Sequence, residues 1–260
     1  MTLDVLAWLS PVTDLLKFMG TATTLLTLDG LRILVDPSFL HSGSRYHLGW
    51  GIFSTKLVDP VYDPSDLEVD LILLTHSHRD HWDEEATRLL SRDIPVITNP
   101  AAARFLTKQG FETVIPLDQG ESTVWQDLTI TALPAHHGPW FMRFFTGSVI
   151  GFGVTTSAYR LWISGDTIAT QAVKEAVWDY SPQKVVVYFG SVRAYGIRIT
   201  FDAKDALQVI EPLEELGQLI GVHVNDWSHF RSDPVQLVEA FASLGLQLPA
   251  HGEVIELVMS

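Results

Sequence analysis

The feature that most constrains the fold is an apolar run, VDLILLT at residues 69–75, followed at once by the polar segment HSHRDH at residues 76–81. A strand that is apolar on both faces is typical of a sheet covered on both sides, as in α/β proteins. The next segment, DEEATRLLSR at residues 83–92, predicts a helix with an acidic first turn. The polar segment should therefore lie at the carboxyl end of a buried strand, where open α/β sheets place their ligands.

Strand and helix signals alternate irregularly along the chain. Residues 21–30 and 31–37 predict an antiparallel hairpin, because the dipeptide Asp29-Gly30 is a strong turn signal. Eight further strands are predicted from 69–75 to 217–224, and helices are predicted at 101–110, 168–180, 202–217 and 234–245. Together they favour an α/β fold of two mixed β-sheets packed face to face with helices outside, in one domain covering residues 1–260.

The composition restricts the partners and the type of site. Acidic residues number 31 against 17 basic ones, which gives a formal net charge of -14, and no Lys/Arg cluster interrupts this balance. Such a surface repels polyanions, so we expect no nucleic-acid partner. The chain has no cysteine, so nitrogen and oxygen atoms must hold any metal ion.

The segment at residues 76–81 contains the densest group of potential metal ligands. In an extended segment His76 and His78 project from the same side, while Asp80 and His81 turn with the chain toward a neighbouring position. One loop can thus supply ligands to two adjacent metal ions. The alternative is that Asp80 or Asp83 caps the following helix and the histidines are solvated surface groups.

Several motifs together resemble the metallo-β-lactamase fold superfamily, whose scaffold is a four-layer αββα sandwich. The segment THSHRDH matches its His-x-His-x-Asp-His signature, and residues 18–39 are similar to the N-terminal hairpin of its L-ascorbate 6-phosphate lactonase-like branch. That branch also includes N-acylphosphatidylethanolamine-hydrolysing phospholipase D. Three further motifs look like later ligand motifs: LPAHHGP (133–139), LWISGDT (161–167) and IGVHVNDWSHF (220–230).

The resemblance implies a ligand set for two divalent metal ions. His76, His78 and His137 would hold one ion, Asp80, His81 and His223 would hold the other, and Asp166 would bridge them. Two ligand positions are ambiguous in the sequence: either His136 or His137 could be the third-motif ligand, and either His223 or His229 could be the last one. We expect Asp80 and His223 to be catalytic as well. Zinc is the expected metal, and manganese or iron suits the same ligands.

The implied activity is that of a binuclear metal-dependent hydrolase. A metal-bridging hydroxide would cleave an ester, lactone or phosphodiester bond in a small or lipid-like substrate. One alternative is a binding or sensor protein that retains the metal site without turnover. Another is an iron oxidoreductase on the same fold, but redox branches commonly carry Glu where this chain has His78.

Residues near these motifs suggest how the substrate and the ligands are held. The segment 37–66 is rich in Gly, Pro and aromatic residues without sustained periodicity, and it and the aromatic run 138–145 are candidate pocket walls. Arg143, Arg193 and Arg198 are candidate anion anchors, and Asp36 is a candidate partner that orients a ligand histidine.

The N-terminus lacks the pattern of a secretion signal, since Asp4 comes early and no basic region precedes the apolar residues. No stretch approaches the ~20 apolar residues of a membrane-spanning helix. We therefore expect a mature N-terminus, no transmembrane segment and a cytoplasmic location. The oligomeric state is left open by the sequence.

Overall fold

Two β-sheets pack face to face in the computed structural model, which describes residues 13–49 and 52–258. Its strands are β1 (Leu15–Gly20), β2 (Thr23–Leu28), β3 (Leu31–Val35), β4 (Arg45–Gly49), β5 (Ile52–Thr55), β6 (Leu71–Leu74), β7 (Val96–Thr98), β8 (Val114–Pro116), β9 (Ser122–Trp125), β10 (Leu128–Pro134), β11 (Ile150–Thr155), β12 (Arg160–Ile163), β13 (Lys184–Tyr188), β14 (Arg193–Ala194), β15 (Ile197–Arg198), β16 (Gln218–Val222) and β17 (Val254–Glu256). Its helices are α1 (Glu84–Leu89), α2 (Pro100–Lys108), α3 (Arg143–Thr146), α4 (Gln171–Tyr180), α5 (Ala203–Ile210) and α6 (Pro234–Ala240), with short 3₁₀ turns at Pro64–Leu67, Trp140–Met142 and Ala242–Leu244.

Both large sheets are mixed. The first has the order β17-β1-β2-β3-β6-β7-β8, antiparallel from β17 to β3 and parallel from β3 to β8. The second has the order β16-β13-β12-β11-β10-β9, parallel from β16 to β12 and antiparallel from β12 to β9. The predicted hairpin is confirmed as β2–β3, and Asp29 and Gly30 both have the positive φ that its turn requires.

Alternation along the strands sorts side chains between the layers. In β6, Leu71 and Leu73 enter the core between the two sheets, whereas Ile72 and Leu74 face the outer core formed with α1 and α2. In β13, Val186 lies between the sheets and Val187 packs on the far side with residues of α4, α5 and α6. The predicted αββα layering is therefore confirmed, and β6 is apolar throughout because both of its faces are covered.

Several elements were missed or extended too far by the sequence prediction. The segment 37–66 contains the hairpin β4–β5, so reading it as an irregular connection was wrong in that part. Strands β1, β9 and β17 were also missed. The helix predicted at 202–217 ends at Ile210, shortly before Pro212.

The expectation of a mature N-terminus concerns residues 1–18, of which 1–12 lie outside the described part of the chain, as does Trp50. Among residues 13–49 and 52–258, no helix is long and apolar enough to cross a membrane.

Candidate metal centre

The loop after β6 places its polar side chains inside the protein. His76, Asp80 and His81 are all buried, and His78 is half-buried. The helix-capping alternative holds for Asp83 alone, whose side chain accepts a hydrogen bond from Ala86 N at the start of α1. The other acidic residue of this loop, Asp80, is therefore left to face the interior.

The remaining predicted ligands follow strands of the second sheet. His137 comes shortly after β10, Asp166 after β12, and His223 directly after β16. All three are buried beside the loop at residues 76–81. Because strand ends from the two sheets converge at this edge, residues far apart in the sequence meet there.

Three histidines form the first group of potential ligand atoms. His76, His78 and His137 each present a ring nitrogen within 4.8 Å of the others'. Nε2 of His76 lies 3.0 Å from Nδ1 of His78, and Nδ1 of His137 lies 2.8 Å from the carbonyl oxygen of Ile199. That carbonyl can only accept a hydrogen bond, so it fixes the proton of His137 on Nδ1 and leaves Nε2 as a lone-pair donor.

A second group lies beside the first. Asp80, His81 and His223 have ligand atoms within 4.8 Å of one another, and Nε2 of His223 lies 3.4 Å from Oδ2 of Asp80. A carboxylate lies between the groups: Oδ2 of Asp166 is 3.6 Å from Nε2 of His137 and 3.5 Å from Nε2 of His81. The other oxygen of Asp166 is 3.6 Å from Nδ1 of His223. All seven predicted ligand residues are thus brought together.

The donor set suits divalent cations. Nε2 of His81, Oδ1 of Asp166 and both ring nitrogens of His223 are buried without a hydrogen-bond partner. Buried polar atoms are rarely unpaired, and such atoms at one point call for an ion or a water. Imidazole nitrogen and carboxylate oxygen are ligands for zinc, manganese and iron, so these residues fit the predicted metal ions.

The protonation states of the site residues also favour the binding of a cation. Burial lowers the pKa of His76 well below its ordinary value and that of His78 to about 4, so both are neutral at neutral pH, the form that binds metals. Burial acts against a charged His81 too, but the carboxylates of Asp166, Asp80 and Asp36 prevail and raise the pKa of His81 well above its ordinary value. The centre therefore carries negative charge that favours a cation.

The two open choices among the histidines have different surroundings. His136 is turned away from the centre, and its Nδ1 lies 2.8 Å from Oγ1 of Thr170 at the start of α4. Nε2 of His229 approaches Oδ2 of Asp80 only to 4.0 Å, while its Nδ1 lies 2.5 Å from Oγ of Ser54. The geometry favours His137 and His223 as ligands.

Asp36 lies behind His81 and fixes its orientation. Its Oδ2 is 2.9 Å from Nδ1 of His81 and accepts hydrogen bonds from the hydroxyls of Thr75 and Tyr188 at 2.7 and 3.0 Å. The backbone N of Thr75 donates to Oδ1 at 2.7 Å. The proton of His81 is thereby held on Nδ1, and Nε2 faces the centre.

The backbone at His223 adopts a left-handed conformation, with φ 58°, which is costly for a residue with a Cβ. Its N–H donates to the carbonyl of Thr21 at 2.7 Å, and the N–H of Thr21 donates to the buried carboxylate of Asp226. Lys56, also buried, lies 3.6 Å from that carboxylate and donates to the hydroxyl of Thr21. The sequence did not predict this buried ion pair of Lys56 and Asp226, which holds the backbone that positions His223.

The hairpin β4–β5 contributes polar groups to the centre. Tyr46 and Ser54 are direct cross-strand partners, so their side chains share a face. The hydroxyl of Tyr46 lies 3.5 Å from Oδ1 of Asp80, and Ser54 contacts His229. Of the aromatic residues suggested as pocket walls, Tyr46 reaches the centre, whereas Phe39 and Tyr62 pack in the outer core.

The suggested anion anchors have other partners. Arg198 pairs with Asp202 at 2.7 Å and Asp205 at 2.5 Å. Arg193 donates to the carbonyl of Gly196, and Arg143 lies on the segment of exposed aromatic residues that follows His137. The described contacts give none of the three arginines a place among the clustered ligands.

Comparison with known proteins places the chain in a family. Residues 31–247 match the sequence profile described as "Beta-lactamase superfamily domain", which covers most of the chain. The chain belongs to this superfamily. The predicted superfamily is thereby confirmed, whereas its lactonase-like branch stays a prediction.

Similar proteins carry related names. A UPF0173 metal-dependent hydrolase of Christiangramia forsetii is 26% identical over 93% of this chain and 99% of its own length. A possible metal-dependent hydrolase from Veillonella parvula has a TM-score of 0.85 at 21% identity, over 94% of this chain and 100% of that one. The isothiocyanate hydrolase from Delia radicum gut bacteria has a TM-score of 0.81 at 23% identity, over 93% of this chain and 98% of that one. The structural matches confirm the fold, and the curated names agree with the predicted class of metal-dependent hydrolase.

Proposed function

We propose that the chain, as a single domain, is a binuclear metal-dependent hydrolase that cleaves an ester, lactone or phosphodiester bond in a small or lipid-like substrate. The observation that carries this proposal is the convergence of two adjacent ligand groups on the carboxylate of Asp166. One of its oxygens lies near His81 and His137, and the other lies near His223. This is the arrangement expected of a bridging ligand.

Each group has its own proposed ion. His76, His78 and His137 would hold the first, Asp80, His81 and His223 would hold the second, and Asp166 would contact both. Two such cations, zinc first and manganese or iron as alternatives, supply the Lewis acidity that ionises water near neutral pH and polarises the bond under attack.

The protein's own groups then orient the reactants. Oδ2 of Asp80 faces His223, while Oδ1 is directed toward the hydroxyl of Tyr46 and is available to accept a proton from the attacking water. His223 lies between the carboxylates of Asp80 and Asp166 at 3.4 and 3.6 Å, so a proton shared within this group stays close to the reacting atoms. We assign catalytic roles to Asp80 and His223 on this basis.

An apolar wall beside the second ligand group supports a substrate with an apolar portion. The ring of Phe230 lies 4.2 Å from that of His223 and packs against a buried cluster of Met142, Val192 and Ile199. Sites for small organic molecules combine such walls with a few polar fixtures. The net charge of -14 gives no support to a polyanionic substrate such as nucleic acid.

An isothiocyanate is a second candidate substrate. The structural similarity to the isothiocyanate hydrolase favours it, as does the apolar wall, since an organic isothiocyanate joins an electrophilic carbon to an apolar group. The same water-activating groups would serve this reaction.

Activity and metal content measured together test the proposal. Zinc-loaded protein is assayed against esters, lactones, phosphodiesters and isothiocyanates, beside the variants His78→Ala and Asp166→Ala and the control His41→Ala, whose histidine is exposed and pairs with Asp59. We expect both site variants to lose metal and turnover, and the control to keep both. Full activity after exhaustive chelation would contradict the proposal. Metal-loaded protein without turnover on the whole panel would favour the sensor alternative, and a redox-active iron centre would favour the oxidoreductase.

A further inference from the structure

Two polar side chains outside the proposed ligand set converge on Asp80. The hydroxyl of Tyr46 lies 3.5 Å from Oδ1, and Nε2 of His229 lies 4.0 Å from Oδ2. They come from separate parts of the chain, the hairpin β4–β5 and the segment after β16. Neither is required to complete a ligand group, so their approach to the same carboxylate calls for another explanation.

The pair is partly accessible to solvent, as side chains that contact a substrate must be. Of the seven proposed ligands, six are buried, and His78 is half-buried. Tyr46 and His229 are likewise half-buried, so part of each of these side chains is accessible to solvent. A group entering from outside meets these side chains next to the reacting atoms.

The hairpin holds both donors in place. Because Tyr46 and Ser54 are cross-strand partners, the same two strands position the phenol and the hydroxyl that contacts His229. The ring of Tyr46 packs edge-on against the buried Trp227 at 5.1 Å. Such fixed groups lose little freedom when they bind a transition state.

The arrangement also defines which atoms donate. The Nδ1 of His229 lies 2.5 Å from the Ser54 hydroxyl, and its Nε2 faces the Asp80 carboxylate. A carboxylate prefers an N–H to a lone pair, so the hydroxyl of Ser54 donates to Nδ1 and the proton of His229 resides on Nε2. Tyr46 Oη–H and His229 Nε2–H are therefore two neutral donors that face the two oxygens of one carboxylate.

We propose that Tyr46 and His229 are catalytic hydrogen-bond donors to the substrate oxygen that gains negative charge, an inference that rests on the proposed hydrolase function. When hydroxide adds to a carbonyl carbon, the new C–O bond forms and the π pair moves to the carbonyl oxygen, which the two donors bind. Collapse restores the double bond and breaks the bond to the leaving alkoxide, which takes a proton from water. At a phosphorus centre the same donors bind a non-bridging oxygen. Ser54 is a positioning residue for His229.

Single-atom and conservative substitutions test this proposal. Tyr46→Phe removes one hydroxyl, and His229→Gln removes the imidazole donor. Loss of one such donor costs about 10²-fold in kcat with little change in KM. We expect that loss in each variant, and less than a multiplicative loss in the double variant, because the two donors act on one oxygen. The matched control is Tyr62→Phe, because Tyr62 packs against Phe39 in the outer core.

Two further measurements separate a donor from a structural residue. Zinc content should stay at the wild-type value in both donor variants, and inorganic phosphate, as a tetrahedral oxyanion, should bind about tenfold more weakly to zinc-loaded Tyr46→Phe by calorimetry. Ser54→Ala should lower kcat without loss of zinc, and Ser54→Thr, which keeps the hydroxyl, should restore it.

The results distinguish failure of this inference from failure of the proposed function. If the wild-type protein hydrolyses nothing on the panel, the hydrolase proposal fails, while phosphate binding still measures the donor pair. The donor pair is overturned if Tyr46→Phe keeps kcat within twofold, if it loses zinc in proportion to activity, or if phosphate binds wild type and Tyr46→Phe equally or not at all.

Discussion

Replacing Asp36 by Asn should weaken metal binding through His81, although Asp36 is not a proposed ligand. The N–H of Thr75 donates to one oxygen of Asp36, so the amide oxygen of Asn occupies that position. The amide NH₂ then occupies the position of Oδ2, 2.9 Å from Nδ1 of His81. It can only donate there, which moves the proton of His81 to Nε2, the atom that faces the proposed metal ions.

The size of the effect follows from this change of tautomer. Loss of a partner that orients a ligand histidine costs about 10- to 100-fold in metal affinity, or about 1.4 to 2.8 kcal/mol. The affected step should be the binding of the ion held by Asp80, His81 and His223, and the other ion should bind nearly as in the wild type. The unfolding free energy of the metal-free protein should fall as well, since the NH₂ also meets the hydroxyls of Thr75 and Tyr188.

Zinc competition with a chromogenic chelator measures the two binding steps separately. Tyr188→Phe is the control, because it removes one of the two hydroxyl hydrogen bonds to Oδ2, at 3.0 Å, and leaves the tautomer of His81 unchanged. It should cost about 1 kcal/mol of stability and leave zinc affinity near wild type. Wild-type zinc affinity in both steps for Asp36→Asn would show that Asp36 does not orient His81 for metal binding.

Three further outcomes are expected. Asp226→Asn leaves the buried Lys56 without its carboxylate partner, so the free energy of unfolding measured in urea should fall by about 3–5 kcal/mol. A fall below about 1 kcal/mol would contradict this expectation. Burial alone would raise the pKa of Asp226, but the hydrogen bond to His251 and the charge of Lys56 lower it from 3.8 to about 2. Wild-type stability should therefore fall by about 2 kcal/mol as the pH drops from about 4 to about 2, and Asp226→Asn should lack this fall. Gly190→Ala places a Cβ 3.0 Å from Nδ1 of His223 and should weaken zinc binding measurably by chelator competition.

Each of these variants has a matched control. Lys17→Met breaks a less buried ion pair, with Asp66, and should cost about 1 kcal/mol or less. Gly153→Ala introduces a close contact with the ring of Tyr180 instead of a proposed ligand, so stability should fall while zinc affinity is kept. Equal zinc affinities in Gly190→Ala and the wild type would contradict the role given to the space around His223.

The sequence predicted the site where its signal was local. His76, His78, Asp80 and His81 lie within one loop, and the strand before them is recognisable because both of its faces are apolar. His137, Asp166 and His223 were predicted as ligands because each comes after a recognisable strand and lies in a motif of the resembled superfamily. Their assembly then depends only on strand ends meeting at one edge.

The residues that contact the proposed ligands from outside the ligand set could not be predicted from local sequence patterns. Ser54 and His229 are 175 positions apart, and no pattern in either segment predicts their contact. The strands of the hairpin β4–β5 are short and close to glycines, which concealed the position of Tyr46. The link from Asp226 through Thr21 to His223 is made partly by backbone atoms, which the identities of side chains do not reveal.

If seven side chains hold two adjacent cations, anomalous scattering from a crystal of zinc-loaded protein should locate both ions. We expect two peaks in each chain, one against His76, His78 and His137 and one against Asp80, His81 and His223, with Asp166 contacting both. A single peak, or peaks away from these residues, would contradict it.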